Sequence, residues 1–146
     1  MPGRGGSAPR TRGLAVATIS VATVAALSGC GLAVQSADLF GVMRSGGGKP
    51  LTLVVNDGGT LRCNGAPAKP IPDRLLVVAR SLTGQLDPDA RKHLDLPSPA
   101  GSVYRYKVSL PKGTFSFPDT SAAHRPELAK LEQFVLEAKS RCAGGG

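Results

Sequence analysis

The amino-acid sequence predicts an α+β domain, in which four antiparallel strands form one sheet and two helices cover one of its faces. Two stretches, 51–63 and 103–117, each contain a pair of short apolar strands joined by a glycine-containing turn. A stretch with apolar residues at helical spacing follows each pair. The predicted order is therefore β-β-α-β-β-α, two similar halves that would build a single sheet with both helices on the same side.

The first strand pair is predicted at Leu51–Asn56 and Thr60–Cys63. Aliphatic and β-branched residues dominate the first of these strands. Between the strands, Asp57-Gly58-Gly59 supplies residues that tolerate the positive φ angles of a tight turn. This segment is therefore predicted to be a β-hairpin.

A helix is predicted after the proline-rich link 66–72. Pro72 and Asp73 mark its start, and Gly84 and Pro88 mark its end. Its apolar residues recur at steps of four, three and four, which places them on one helical face. These residues are Leu75, Ala79, Leu82 and Leu86.

The second strand pair is predicted at Val103–Leu110 and Thr114–Phe117. In the first of these strands, tyrosines and aliphatic residues alternate with polar residues, a pattern typical of a strand that is buried on one side. We interpret the aromatic residues of this half as core residues rather than as a platform for a ligand. Arg105 and Lys107 would then lie on the open face of the sheet, where they form a candidate binding surface.

A second helix is predicted to begin near Pro126, because proline suits the first turn of a helix. The apolar residues that follow step by three, four, three and four and form one continuous stripe. The stripe consists of Leu128, Leu131, Val135, Ala138 and Cys142.

Residues 1–29 are predicted to be a signal peptide. Arg4, Arg10 and Arg12 precede the apolar run Leu14–Leu27, and no acidic residue occurs in this part of the chain. As a helix, that run is too short for the roughly 30 Å hydrocarbon layer of a bilayer. A cleaved leader is therefore favoured over a permanent transmembrane helix.

The end of the apolar run, Leu27-Ser28-Gly29-Cys30, resembles the lipobox of bacterial lipoproteins. The resemblance implies cleavage before Cys30 and acylation of that cysteine, which would hold the protein on the extracytoplasmic face of the cell membrane. Two acyl chains anchor a protein stably where one does not. The composition, rich in Ala, Gly, Arg and Pro, is similar to that of short actinobacterial lipoproteins.

Three parts of the chain follow from these assignments. The signal peptide spans 1–29, a lipidated N-terminus and flexible tether spans 30–50, and a single small domain spans 51–146. The tether assignment depends on the absence of a sustained hydrophobic period and on Gly46-Gly47-Gly48, which is typical of a flexible spacer.

Cleavage changes the charge of the protein. The whole chain carries 18 basic and 10 acidic residues, a net charge of +8, and three of the basic residues belong to the signal peptide. The remaining +5 would draw the protein toward anionic headgroups or wall polymers, but a solvated surface that keeps the protein soluble is the favoured interpretation. The expected partners are the membrane, through acyl chains on Cys30, and an envelope or secreted protein. Nucleic acid is not an expected partner, and the chain is expected to be a monomer.

Two cysteines remain once Cys30 is acylated. Cys63 ends a predicted strand and Cys142 lies on the buried stripe of the last helix. An even number of cysteines in an oxidising compartment favours a disulfide between them, and two separate buried thiols are the alternative.

The sequence shows no clear catalytic arrangement of residues, which favours a protein that is not an enzyme. His93 and His124 show no metal-ligand spacing and no nucleophile arrangement with a cysteine, so neither a metal nor a cofactor is expected. Asp119-Thr120-Ser121 is similar to the signature of aspartic proteases, which would require a dimer to pair two Asp119 carboxylates. The favoured interpretation is a turn or cap before the last helix.

The second half of the chain also resembles emfourin-type inhibitors of thermolysin-like metalloproteases. The resemblance rests on Tyr104–Leu110, Phe115–Asp119, Pro126–Leu128 and the following Leu131. It implies a hairpin-rich protein that binds other proteins, and no inhibitory residue is carried over. The sequence thus predicts a lipid-anchored, non-catalytic binding module, with inhibition of a secreted metalloprotease as the alternative function and a dimeric aspartic-type hydrolase as a third.

Overall fold

The computed structural model describes residues 1–3, 5–6, 32, 34–35 and 37–143. The apolar run of the predicted signal peptide and the predicted lipid acceptor Cys30 lie outside the described residues. None of the helices in the described part of the chain combines the length and the apolar character that crossing a membrane requires.

One six-stranded antiparallel sheet and two long helices form the domain, which confirms the α+β class. The strands are β1 (Asp38–Ser45), β2 (Leu51–Asn56), β3 (Thr60–Cys63), β4 (Lys69–Pro70), β5 (Arg105–Leu110) and β6 (Gly113–Pro118). The helices are α1 (Asp73–Arg91) and α2 (Pro126–Ala143), and a 3₁₀ helix, Asp119–Ala123, precedes α2. Across the sheet the strands follow the order β4-β3-β2-β1-β5-β6.

The prediction of four strands was wrong, and the main reason is β1. This strand lies in the segment assigned to the tether, yet it occupies an interior position in the sheet and pairs with both β2 and β5. Its side chains Phe40 and Val42 are 0% and 1% exposed. The domain therefore begins well before Leu51, and its first strand follows closely after the described residues 34–35.

The three glycines at 46–48 form the turn between β1 and β2 rather than a spacer. Their φ angles are 85°, 60° and 118°, in the region that favours glycine. At Gly47 a Cβ atom would lie 2.3 Å from Cε1 of Tyr104, so the turn packs directly against that ring. Glycine is required here for close packing as well as for backbone conformation.

The sixth strand, β4, also breaks the predicted symmetry between the two halves. It contains two residues of the predicted proline-rich link and pairs with β3 through Thr60 opposite Pro70 and Leu61 opposite Lys69. Proline is tolerated at this position because β4 lies at the edge of the sheet. The first half of the domain thus supplies four strands and the second half two.

Helix α1 is longer than the sequence predicts, since it continues through Gly84 and Pro88 to Arg91. Tertiary contacts outweigh the local stop signals: Leu86 and Ala90 are fully buried. Asp89 also accepts a hydrogen bond from Arg125 at 2.6 Å. Pro88 has no N–H to donate to the carbonyl of Gly84, so the helix loses one backbone hydrogen bond near its C-terminal end.

A single hydrophobic core lies between the sheet and the two helices. The Phe40 ring of β1 meets the Phe134 ring of α2 edge to face at 5.4 Å. On the other side of the core Tyr106 stacks on Phe117 with ring centroids 4.9 Å apart. Tyr106, Phe115 and Phe117 are at most 3% exposed, which confirms their interpretation as core residues.

Cys63 and Cys142 form a disulfide, in agreement with the pairing expected from the sequence. The bond joins the end of β3 to the last turn of α2, with Cα atoms 5.8 Å apart and a sequence separation of 79 residues. The crosslink therefore encloses β4, α1, the hairpin of β5 and β6 and most of α2, and it constrains the unfolded chain over most of the domain.

Reduction of this disulfide is expected to lower the free energy of unfolding by about 2–4 kcal/mol, since the unfolded chain regains the entropy of a long loop. Cys142→Ser should produce a similar loss, and denaturant titrations with and without dithiothreitol measure both. Cys30→Ser is the matched control, because it should leave the response to the reductant unchanged. An equal midpoint for reduced and oxidised wild-type protein would contradict the prediction.

Candidate functional site

The surface opposite the helices, here named the outer face, carries the candidate binding residues Arg105 and Lys107. Residues directly opposite one another in an antiparallel ladder share a face. Lys107 lies opposite Met43 of β1 and Ser116 of β6, and Arg105 lies opposite Ser45. Tyr106, between the two cations, is buried on the core side, as the predicted alternation requires.

Arg105 is engaged by its own chain. Its guanidinium donates to the backbone oxygen of Leu96 at 3.0 Å and to the hydroxyl oxygen of Ser98 at 2.8 Å, and it forms an ion pair with Asp95. The same segment adds backbone hydrogen bonds to the free edge of β6 through Ser116. Arg105 therefore fixes a loop against the sheet edge, a role that the sequence pattern did not indicate.

Lys107 is exposed on β5, between β1 and the edge strand β6. Among the described residues, no carboxylate lies within ion-pair distance of its ammonium group. Its neighbours across the ladders, Met43 and Ser116, are half-buried and uncharged. Of the two predicted binding residues, Lys107 is thus the one whose charge remains available to a partner.

The residues just ahead of β1 lie across the outer face. A Cβ atom at Gly41 would be 2.3 Å from Cδ2 of Leu32 and 3.5 Å from Cγ2 of Val34. Because Gly41 has no side chain, the sheet surface has a notch at this position, and the Leu32 side chain occupies it. Beside it is a shallow cavity of about 160 Å³, lined by Leu32, Thr52, Val54, Arg62 and Gly65.

A buried carboxylate holds this segment in place. The Asp38 side chain accepts hydrogen bonds from the backbone N–H of Gln35 at 2.9 Å and from the Asn56 amide at 3.1 Å. It also pairs with Arg62 at 3.3 Å, and only 2% of its own surface is exposed. Buried carboxylates need such partners. The sequence pattern did not predict this cluster, since residue 38 falls in the segment assigned to a flexible tether.

A second buried polar cluster lies on the core side, between β1, β5 and α2. Arg44 is 6% exposed, lies opposite Tyr106 in the ladder, and places its guanidinium carbon 4.6 Å from the centre of the Tyr104 ring. Within the described residues, Arg44 Nε and Glu132 Oε1 are buried without a hydrogen-bond partner. These groups had no signal in the sequence, since β1 itself was not predicted.

Two acidic groups of this cluster, Glu132 and Tyr106, have raised pKa values. Burial, and to a smaller extent the negative charge of Asp119, raise the pKa of Glu132 to about 7. Burial also raises the pKa of Tyr106 to about 12, with a further contribution from Glu132 and an opposing one from Arg44. Both groups therefore favour their neutral forms more than they would in water.

Asp119 serves as a backbone cap, consistent with the turn or cap interpretation. Its carboxylate accepts hydrogen bonds from the N–H groups of Val103, Tyr104 and Thr120 at 3.0–3.3 Å. A hydroxyl contact of 3.1 Å between Ser102 and Thr120 adds to the same junction. The carboxylate thus joins the start of the 3₁₀ helix to the segment that leads into β5.

The two histidines lie in segments between the named strands and helices. His93 follows α1 in a left-handed backbone conformation, with φ of 49°. His124 lines an open cavity of about 430 Å³ together with Leu96, Pro97, Ser98, Pro99, Thr120 and Ser121. Within the described part of the chain, no three His, Cys, Asp or Glu side chains are grouped to hold a metal ion.

Comparison of the chain with protein-family models, with curated proteins and with solved structures finds no match in any of the three.

The Glu132→Gln variant is expected to be more stable than wild type at pH 8 and equally stable at pH 4. The unfolded chain loses the Glu132 proton near pH 4.5 while the folded chain retains it to about pH 7. Wild-type stability therefore falls as the pH rises through this interval. Partial exposure reduces the gain at pH 8 to on the order of 1–2 kcal/mol.

Chemical denaturation at the two pH values measures this difference. Glu137→Gln is the matched control on the same helix: its carboxylate pairs with Arg74, so its loss should give no gain in stability at pH 8. A Glu132→Gln protein that is less stable than wild type at pH 8 would show that the carboxylate makes a favourable contact.

Proposed function

We propose that the protein is a lipid-anchored, extracytoplasmic binding module of the cell envelope, acylated at Cys30. The observation that carries the proposal is the sequence Leu27-Ser28-Gly29-Cys30 at the end of a basic and then apolar N-terminal segment. The position supplies a thiol for acyl transfer next to small residues that a signal peptidase can approach.

The disulfide supports an extracytoplasmic location. Disulfides persist in oxidising compartments and are rare in the cytosol of most cells. Pairing of Cys63 with Cys142 accounts for two of the three cysteines and leaves Cys30 as the remaining candidate for modification. Each cysteine of the chain then has a role that fits the same compartment.

The contacts made by the charged side chains support a binding role. Asp119 accepts three backbone hydrogen bonds, and Asp38 is held by Arg62, Asn56 and the backbone. Lys107 instead presents its charge on an exposed sheet surface. We therefore propose that the protein acts through contact with a partner rather than through a chemical step on a substrate.

Mass analysis of the chain recovered from the membranes of a bacterial host that carries lipoprotein-processing enzymes tests the anchor. The mature protein is expected to begin at Cys30 and to carry acyl chains there, and globomycin should cause the precursor to accumulate. Cys30→Ser should abolish incorporation of labelled fatty acid, whereas the control Cys63→Ser should retain it. Unchanged labelling of the Cys30→Ser protein would overturn the proposal.

A further inference from the structure

We propose that the outer face of the sheet lies against the anionic lipid headgroups of the membrane, with Lys107 as its exposed cation. This inference rests on the proposed acylation of Cys30 and adds an orientation to it. The membrane would then be a partner of the folded domain as well as of the lipid.

The covalent path from the anchor to the domain is short. Only Gly31 separates Cys30 from Leu32, whose side chain occupies the notch above Gly41. Consecutive Cα atoms are about 3.8 Å apart, so the Cα atom of Cys30 lies within about 7.6 Å of that of Leu32. An acyl chain on Cys30 would therefore be attached close to the outer face.

The described residues 32, 34 and 35 make contacts that hold the chain ahead of β1 against that face. Asp38 binds the Gln35 backbone on one side and Arg62 of β3 on the other. Leu32 and Val34 contact the position of Gly41 on β1 from the outer side. A rotation that turned the helices toward the membrane would have to break these contacts.

The distribution of charge favours the same orientation. The helices α1 and α2 carry six acidic and six basic residues between them, so the +5 excess of the chain from Cys30 onward comes from residues outside the helices. Two of those cations, Lys112 and Arg125, pair with carboxylates of the helices. On the outer face, Arg62 and Arg105 are paired with carboxylates, and Asp38 is buried. Lys107 remains as an exposed, unneutralised cation.

Proximity makes even one such charge effective. A cation close to an anionic bilayer contributes about 1 kcal/mol of attraction, and the attraction decays over a Debye length of about 8 Å at physiological ionic strength. A two-residue connection to an acyl chain holds the outer face within reach of that field. Orientation then requires little energy, because the anchor supplies the affinity.

Lysine labelling of the full, lipidated chain tests this orientation. The protein is placed in vesicles of phosphatidylglycerol and phosphatidylcholine or in neutral detergent micelles, and a water-soluble N-hydroxysuccinimide ester modifies exposed amines. Lys107 is expected to react about fivefold more slowly on the vesicles, as a contribution of about 1 kcal/mol implies. Lys139, an exposed lysine of α2, is the matched control and should react equally in both.

Two further conditions test the role of charge. The protection of Lys107 should decrease on pure phosphatidylcholine vesicles and at high salt, because screening weakens attraction to the headgroups. Equal protection on neutral and anionic vesicles would overturn the proposed recognition of anionic lipid.

The outcomes separate this inference from the proposed function. If Cys30 carries acyl chains but Lys107 reacts equally on anionic vesicles and in micelles, the orientation is wrong and the anchor stands. Protection of Lys139 in place of Lys107 would show that the helices face the membrane, which overturns the inference. A Cys30 without acyl chains would overturn both proposals.

Discussion

The pairing of β1 with both β2 and β5 is the interaction on which the rest of the sheet depends. Without it, the strands β2, β3 and β4 and the hairpin of β5 and β6 share no ladder. On the inward side, Phe40 of β1 extends the same junction into the core by meeting Phe134 of α2. The disulfide then links β3 to α2 covalently, so that the first half of the sheet is held to the second half of the chain through the ladders of β1 and also through the sulfur bridge.

Local patterns predicted the elements whose signals lie within a few residues. The hairpin at Asp57-Gly58-Gly59 and the stripe of α2 fall into this group, since turn chemistry and helical periodicity act over short stretches. The central strand was missed because its pattern is interrupted: Gly41 lacks a side chain and Arg44 places a charge among apolar positions. The roles of these two residues depend on the folded structure. Leu32 fills the notch at Gly41, and the guanidinium of Arg44 lies over the Tyr104 ring.

For the candidate site, too, local patterns predicted one part and missed another. Alternation along β5 indicated that Arg105 and Lys107 share an exposed face, and the structure places them there. Their different uses depend on a loop that has no period: residues 95–98 capture Arg105 and leave Lys107 exposed. A pattern within one strand cannot report which neighbouring loop will neutralise a charge, because that depends on packing between distant parts of the chain.

The place of β1 in the sheet has a mechanical consequence. Tension transmitted through the chain ahead of Asp38 enters the domain at an interior strand, which is hydrogen-bonded on both sides. An edge strand could be peeled away by opening one ladder, whereas extraction of β1 requires two ladders to fail and removes Phe40 and Val42 from the core. Force applied to the chain ahead of β1 would therefore have to break more hydrogen bonds at once than force applied to an edge strand.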